Sequence, residues 1–520
     1  MKKFAVLFLL TLGYAATAFA QKPNIIVIMV DDMGFSDIGC YGSEISTPHL
    51  DKLAQNGALF TQFYNAARCC PSRASLLTGV YPHQAGMGKM VVSNPKDRST
   101  ETPYQGWLSK KTATVAEVLK TAGYKTYMSG KWHVGEQQPD WPLQRGFDSY
   151  FGLISGASSY YEVLPNRLML NDNEPYTPPK DFYLTDAISD RAVGYIERGA
   201  ASKDPFFLYV AYTAPHWPIH APDEEIAKYR GKYQKGWDVL RQQRYDKQLK
   251  LGLLPAASAP LSVRDSTIGT WEEAQNKDEW DLRMAAYAAM VTRMDAGIGK
   301  IVEKLKATGQ FENTALMFLS DNGACAEVLE GRAKKDLGEP AYTASLTTPA
   351  GKKGSYVAYG KEWTALSNTP FRLYKQYTHE GGIATPLIIH YPDLIKKGFK
   401  TPQVGHIMDL MPTCLELAGV VAPKTHKELA VKPMEGKSLV PILKGKKRPG
   451  HDFIAWEHFD SRAIRQGDWK LVWSRETKKW ELYDLSKDRS ETNDLAAAFP
   501  QKVRELEQNY SQWAQKMGVE

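Results

Sequence analysis

Four short apolar runs, each breaking into polar residues of catalytic type, constrain the fold of this chain more than any other feature. Residues 24–30 run into Asp31-Asp32, and 124–129 into Gly130-Lys131-Trp132-His133. Residues 206–211 lead to Pro215-His216, and 315–320 into Asp321-Asn322-Gly323. Continuous runs of this length suit strands buried on both faces of a parallel sheet, although 124–129 is the least apolar of the four. Helical stretches fall between them. Thr114 and Glu117 predict a capping box for a helix ended by Gly123, and 280–307 reads as one long helix. Ligands of open α/β sheets bind beyond the carboxyl ends of the strands. The expected fold is therefore α/β, a parallel sheet with helices between its strands and its site at one edge.

Composition narrows the function classes. The chain has 520 residues, 43% hydrophobic and 24% charged, which supplies a large core and excludes disorder. A net charge of +7 is mild for this length and does not suggest a nucleic-acid partner. Five cysteines are too few for a disulfide scaffold. Lys2 and Lys3, an apolar stretch over 4–12 and Ala18-Phe19-Ala20 before Gln21 read as a signal peptide, residues 1–20. The expected location is periplasmic or secreted, and no segment is long enough to predict a membrane span. Residues 228–250 hold eight basic residues against Asp238 and Asp246 and read as a solvated helical arm.

Two clusters carry chemistry. Asp31, Asp32, Asp321 and Asn322 offer only oxygen ligands, a set that selects calcium or magnesium over zinc or copper. The second is Cys69-Cys70-Pro71-Ser72-Arg73-Ala74-Ser75-Leu76-Leu77-Thr78-Gly79. A helix beginning near Ser72 would present N–H groups to an anion, and Arg73 adds a bidentate cation. A bare cysteine pair would read as structural or metal-bound; the whole string does not.

That string resembles the signature of the type I sulfatases, in which the first cysteine, here Cys69, is oxidised to Cα-formylglycine. The resemblance extends along the chain. Val30-Asp31-Asp32-Met33-Gly34 and Ser320-Asp321-Asn322-Gly323 match the family's metal motifs. Gly130-Lys131-Trp132-His133 and Ala214-Pro215-His216-Trp217-Pro218 match its lysine and histidine segments. Asn368-Thr369-Pro370-Phe371-Arg372-Leu373-Tyr374-Lys375, followed by Glu380-Gly381-Gly382, matches the late lysine segment. The bacterial arylsulfatases are the most similar branch.

The resemblance implies an alkaline-phosphatase-like fold, a large mixed, mostly parallel sheet flanked by helices, and a calcium ion held by Asp31, Asp32, Asp321, Asn322 and the modified Cys69. It also implies a sulfate ester substrate, aryl or carbohydrate, and a formylglycine-generating maturation enzyme as partner. A hydrated aldehyde at 69 would attack sulfur and form a covalent sulfate ester. Lys131, Arg73 and Lys375 would offset the sulfate charge, with His216 and Lys375 protonating the leaving oxygen. His133 is the expected base for releasing sulfate, and Asp321 an aid to the attacking hydroxyl. The alternatives are a phosphodiester or phosphonate monoester hydrolase of the same superfamily and a non-catalytic glycan-binding relative. Substrate choice is expected in loops such as 155–162.

The remaining histidines, His49, His83, His220, His390, His406, His426, His451 and His458, read as structural or surface groups, and His379 has no assigned role. Beyond about residue 440 the texture changes. Residues 453–457, 462–465, 469–473 and 480–485 read as short antiparallel strands, and 500–517 as a helix with Val503, Leu506 and Trp513 on one face. The expected division is 1–20 signal peptide, 21–435 catalytic domain and 436–520 C-terminal subdomain.

Overall fold

β1 (Asn24–Val30) is buried along its whole length and lies at the centre of a sheet of ten strands. The computed structural model describes residues 22–265 and 267–519, so the expected signal peptide lies outside the described residues. The other strands are β2 (Ala58–Phe60), β3 (Lys125–Gly130), β4 (Ser149–Leu153), β5 (Met169–Asn171), β6 (Glu174–Pro175) and β7 (Phe206–Ala211). β8 (Thr314–Ser320), β9 (Leu387–His390) and β10 (Phe399–Thr401) complete it. Their order is β10-β2-β9-β8-β1-β7-β3-β4-β5-β6. The middle strands β8-β1-β7-β3-β4 are parallel throughout, and β9 runs antiparallel to both β8 and β2. The sheet is thus mixed and mostly parallel, and the anticipated runs are β1, β3, β7 and β8.

Register explains the shared edge. Met29 pairs with Ala211, Ala211 with Gly130, and Val30 with Ser320, so these strands end in line. Asp31, Lys131 and Asp321 therefore emerge side by side. Alternate residues of β1 serve two cores. Ile26, Ile28 and Val30 pack with α3 (Leu184–Ser202) and α5 (Lys277–Ala307). Ile25, Val27 and Met29 pack with α1 (Cys69–Thr78) and α2 (Val115–Thr121). The anticipated capping box starts α2, with Thr114 and Glu117 bonded in both directions.

The basic segment 228–250 departs from expectation. Its helix, α4 (Trp237–Lys250), is anchored rather than solvated, with Arg241 and Arg244 buried. Arg244 bonds Asp37 Oδ1 at 2.6 Å and Glu44 Oε2 at 2.8 Å, and those acids reach it from the loop that follows β1. The arm reading failed because those partners are remote in sequence. Arg244→Ala is expected to cost about 3–5 kcal/mol by leaving Asp37 buried without its cation. Equilibrium denaturation measures this, and a loss below about 1 kcal/mol would contradict it.

The C-terminal part forms an antiparallel sheet of β11 (Ile454–His458), β12 (Ser461–Gln466), β13 (Trp469–Ser474) and β14 (Lys479–Asp484). α6 (Pro500–Met517) lays Leu506, Tyr510, Trp513 and Met517 against Ala455, Ile464, Leu471 and Leu482. Buried charge ties this sheet to the late lysine segment. Lys470 of β13 pairs with Glu380 at 2.9 Å and with Glu491 at 2.7 Å, while His379 meets Glu481 of β14 at 3.0 Å. All five cysteines are free. No helix among the described residues is long and apolar enough to cross a membrane.

Candidate active site

The helix carrying the cysteine string starts at Cys69 itself, three residues earlier than anticipated, with extended Arg68 as its N-cap. No side chain caps it, so its first N–H groups and the positive end of its dipole, where Cys69 sits, are left without a side-chain acceptor. The whole helix is buried, and Gly79, at φ +69°, ends it in the left-handed region. Cys69 Sγ, Cys70 Sγ and a His133 ring nitrogen lie within 4.8 Å of one another. A hydrogen bond from Cys70 holds the Cys69 thiol well below its usual range against the effect of burial, helped by Lys131 and His133.

The acids beyond β1 and β8 form an ion lattice with the lysines. Lys131 Nζ pairs with Asp31 Oδ2, both fully buried. Lys375 Nζ reaches Asp32 Oδ1 at 2.7 Å, and His216 Nε2 lies 3.3 Å from Asp32 Oδ2. Asn322 Nδ2 donates to Asp32 Oδ1 at 2.7 Å, and the Asp32 amide donates to Asp321 Oδ1 at 3.2 Å. Burial pulls the Lys375 ammonium toward neutrality, but Asp32 together with Cys325, Glu327 and Cys69 outweighs it and holds the ammonium well above its ordinary value. Burial, together with the like charge of Asp31, raises the Asp321 carboxyl well above its ordinary value. Burial lowers both His133 and His216, so each imidazole favours the neutral form.

Backbone geometry fixes these groups. Asp32 at φ +65° and His133 at φ +58° occupy the left-handed region, a strain that clusters at functional sites. A Cβ at Gly323 would sit 1.9 Å from the Gly381 carbonyl oxygen, so only glycine lets the late segment close on Asn322. That approach lets the Lys375 amide donate to Ala324 O at 3.1 Å.

Every anticipated site residue, Asp31, Asp32, Cys69, Arg73, Lys131, His133, His216, Asp321, Asn322 and Lys375, is buried at this edge. Arg73 is itself anchored in the site: its Nη2 donates to Asp321 Oδ2 at 2.8 Å and its Nη1 to the Lys131 carbonyl at 2.9 Å, while its buried Nε has no partner among the described residues. The loop 155–162 is likewise mostly interior. Tyr160 donates to the carbonyls of Thr213 and His216 at 2.8 and 2.9 Å, holding the histidine loop.

The donor set fits a hard cation. Asp31 Oδ1 and Asn322 Oδ1 are buried and have no hydrogen-bond partner among the described residues. Paired carboxylates with orphaned oxygens beside them are what calcium or magnesium takes, and no thiolate or imidazole is needed from this group.

Residues 23–420 match the family model described as Sulfatase. The chain belongs to the sulfatase family. A second model, N-sulphoglucosamine sulphohydrolase, C-terminal, matches residues 371–516. The sulfatase is 36% identical to an uncharacterized sulfatase of Schizosaccharomyces pombe, over 98% of this chain and 96% of that protein. It is 35% identical to the arylsulfatase of Klebsiella aerogenes, over 84% of this chain and 95% of that one. The N-acetylgalactosamine-6-sulfatase of Canis lupus familiaris is 28% identical, covering 91% and 75%. Among solved structures, Ps i-CgsB in complex with k-i-k-neocarrahexaose is similar with a TM-score of 0.69 and 26% identity, over 95% of this chain and 93% of that one. The protein is an enzyme, and its reaction is hydrolysis of a sulfate ester.

Sequence reasoning missed the rim of the sulfatase site. Arg68, Trp217, Glu327 and Gln376 meet there through Glu327, which accepts hydrogen bonds from all three. The available signal was position. Each of the three donors is the chain neighbour of an anticipated reactive residue, and Glu327 follows Asp321-Asn322 on one loop.

Proposed function

We propose that this sulfatase cleaves aryl or carbohydrate sulfate esters with a formylglycine at position 69 and a calcium ion held by Asp31, Asp32, Asp321, Asn322 and the modified residue 69. The observation that carries this reading is the pair of orphaned buried oxygens, Asp31 Oδ1 and Asn322 Oδ1, in the cluster next to Cys69. Calcium would supply Lewis-acid neutralisation of sulfate oxygens, and a hydrated formylglycine would supply the nucleophilic hydroxyl. The protein's own groups do the rest.

Arg73 orients Asp321 and the Lys131 carbonyl, fixing the nucleophile end. Lys131 brings a buried positive charge to the sulfate side. His133, kept neutral by burial and beside residue 69, accepts a proton from it. Lys375, kept charged by Asp32, holds a proton for the leaving oxygen. His216 Nδ1 donates to the Trp217 carbonyl at 2.6 Å, so Nε2, 3.3 Å from Asp32 Oδ2, is the atom that must take up a proton, with Asp32 favouring the charged ring, before passing it to the leaving oxygen.

The carbohydrate complex of the Ps i-CgsB neighbour supports a sulfated glycan as natural substrate. The basic, apolar and small-residue order of residues 2–20 supports export to the periplasm or beyond. A formylglycine-generating enzyme is then a necessary maturation partner.

Leaving-group dependence tests the proton donors. Nitrophenolate departs without a proton, whereas a sugar alkoxide needs one. His216→Ala and Lys375→Ala are expected to steepen the dependence of kcat/KM on leaving-group pKa across substituted aryl sulfates. Arg73→Ala is expected to slow all substrates alike. Identical slopes in every variant would contradict the assignment.

A further inference from the structure

Glu327 lies on the loop beyond β8, with its side chain 15% exposed. Its Oε1 accepts from Arg68 Nη2 at 3.0 Å and Gln376 Nε2 at 3.2 Å, and Lys375 Nζ lies 4.0 Å away. Its Oε2 accepts from Trp217 Nε1 at 3.0 Å and Arg332 Nη1 at 3.3 Å. Arg68 precedes Cys69, Trp217 follows His216, and Gln376 follows Lys375. One carboxylate thus gathers the chain neighbours of three reactive residues.

We propose that Glu327 is a positioning residue that sets the leaving-group side of the site, holding His216 and Lys375 at their working distances from residue 69. This rests on the reading in which those two side chains face the departing oxygen. The geometry argues against a mere counter-ion for Arg68, because Trp217 and Gln376 are neutral donors with no charge to balance. The Trp217 ring lies 4.5 Å from the His216 ring, so a shift of one moves the other. Gln376 sits at φ +77°, a strained backbone that needs an external hold. Its amide is held by Ala67 O at 2.9 Å and its side chain by Glu327. Loosening these anchors frees the proton donors to drift, and a displacement of about 1 Å costs about a hundredfold in rate.

The test measures kcat and KM for Glu327→Ala, Glu327→Gln, His216→Ala and Lys375→Ala on phenyl sulfates from good to poor leaving groups. Thermal midpoint and the formylglycine fraction at 69 are recorded for each variant. Glu327→Ala is expected to lower kcat about a hundredfold for the poorest leaving group but less than about fivefold for nitrophenyl sulfate, with KM nearly unchanged. Glu327→Gln, which keeps the size and one acceptor oxygen, is expected to restore most of the loss. It also carries the test should the alanine variant fail to fold. If His216→Ala and Lys375→Ala steepen the leaving-group dependence while both Glu327 variants slow every substrate equally, the positioning role is overturned and the proton-donor reading stands. If none of the four variants shows leaving-group sensitivity, both are overturned.

Discussion

Replacing Cys69 with alanine is expected to lower kcat/KM for every sulfate ester by about 10⁴-fold or more, while the protein stays folded. The side chain is small, and it sits at the first position of α1, where its loss removes no cap and no buried ion pair. The thermal midpoint should therefore barely move while activity collapses. Cys70→Ala makes the contrast. Cys70 is buried against Met90, with its sulfur 3.8 Å from the Met90 sulfur, and is expected to cost less than about tenfold. Only Cys69 has Pro71 and Arg73 at the spacing of the modification string. Activity of Cys69→Ala within tenfold of the parent enzyme would remove the nucleophile from the account.

Metal removal is the second large effect. Exhaustive chelation is expected to abolish turnover, with calcium restoring it better than zinc because the donors are oxygens. Asp321→Ala is expected to lose bound metal and at least a hundredfold in activity together, since Asp321 also anchors Arg73 at 2.8 Å. Elemental analysis of the purified variant gives a readout independent of turnover. Calcium at about a hundred times its Kd should stabilise the folded chain by about 2.7 kcal/mol. An undiminished rate in metal-free protein would contradict the site.

The parts of this molecule legible in its sequence are those set by local pattern. β1, β7 and β8 are continuous apolar runs long enough to be buried on both faces, and the acids that follow mark the working edge. Thr114 and Glu117 announce α2 because both halves of the capping box lie within one turn. What was not legible depends on partners brought together only by folding. Arg244 reads as one more surface cation until Asp37 and Glu44 reach it from the loop that follows β1. The bonds that anchor Arg73 to Asp321 and to the Lys131 carbonyl likewise join segments that meet only on folding. Glu327 gives only a positional signal, since Arg68, Trp217 and Gln376 reach it from three remote segments. Tyr160, in a loop expected to face substrate, is interior because its hydroxyl bonds the His216 loop.

The central claim is that turnover belongs to the modified residue 69. The most direct measurement is quantitative peptide mass spectrometry of position 69 across preparations matured to different extents, each paired with its specific activity. The account predicts activity proportional to the formylglycine fraction, extrapolating to zero where residue 69 is entirely thiol, with Cys70 an intact thiol throughout. Full activity in a preparation whose Cys69 is wholly unmodified would contradict it.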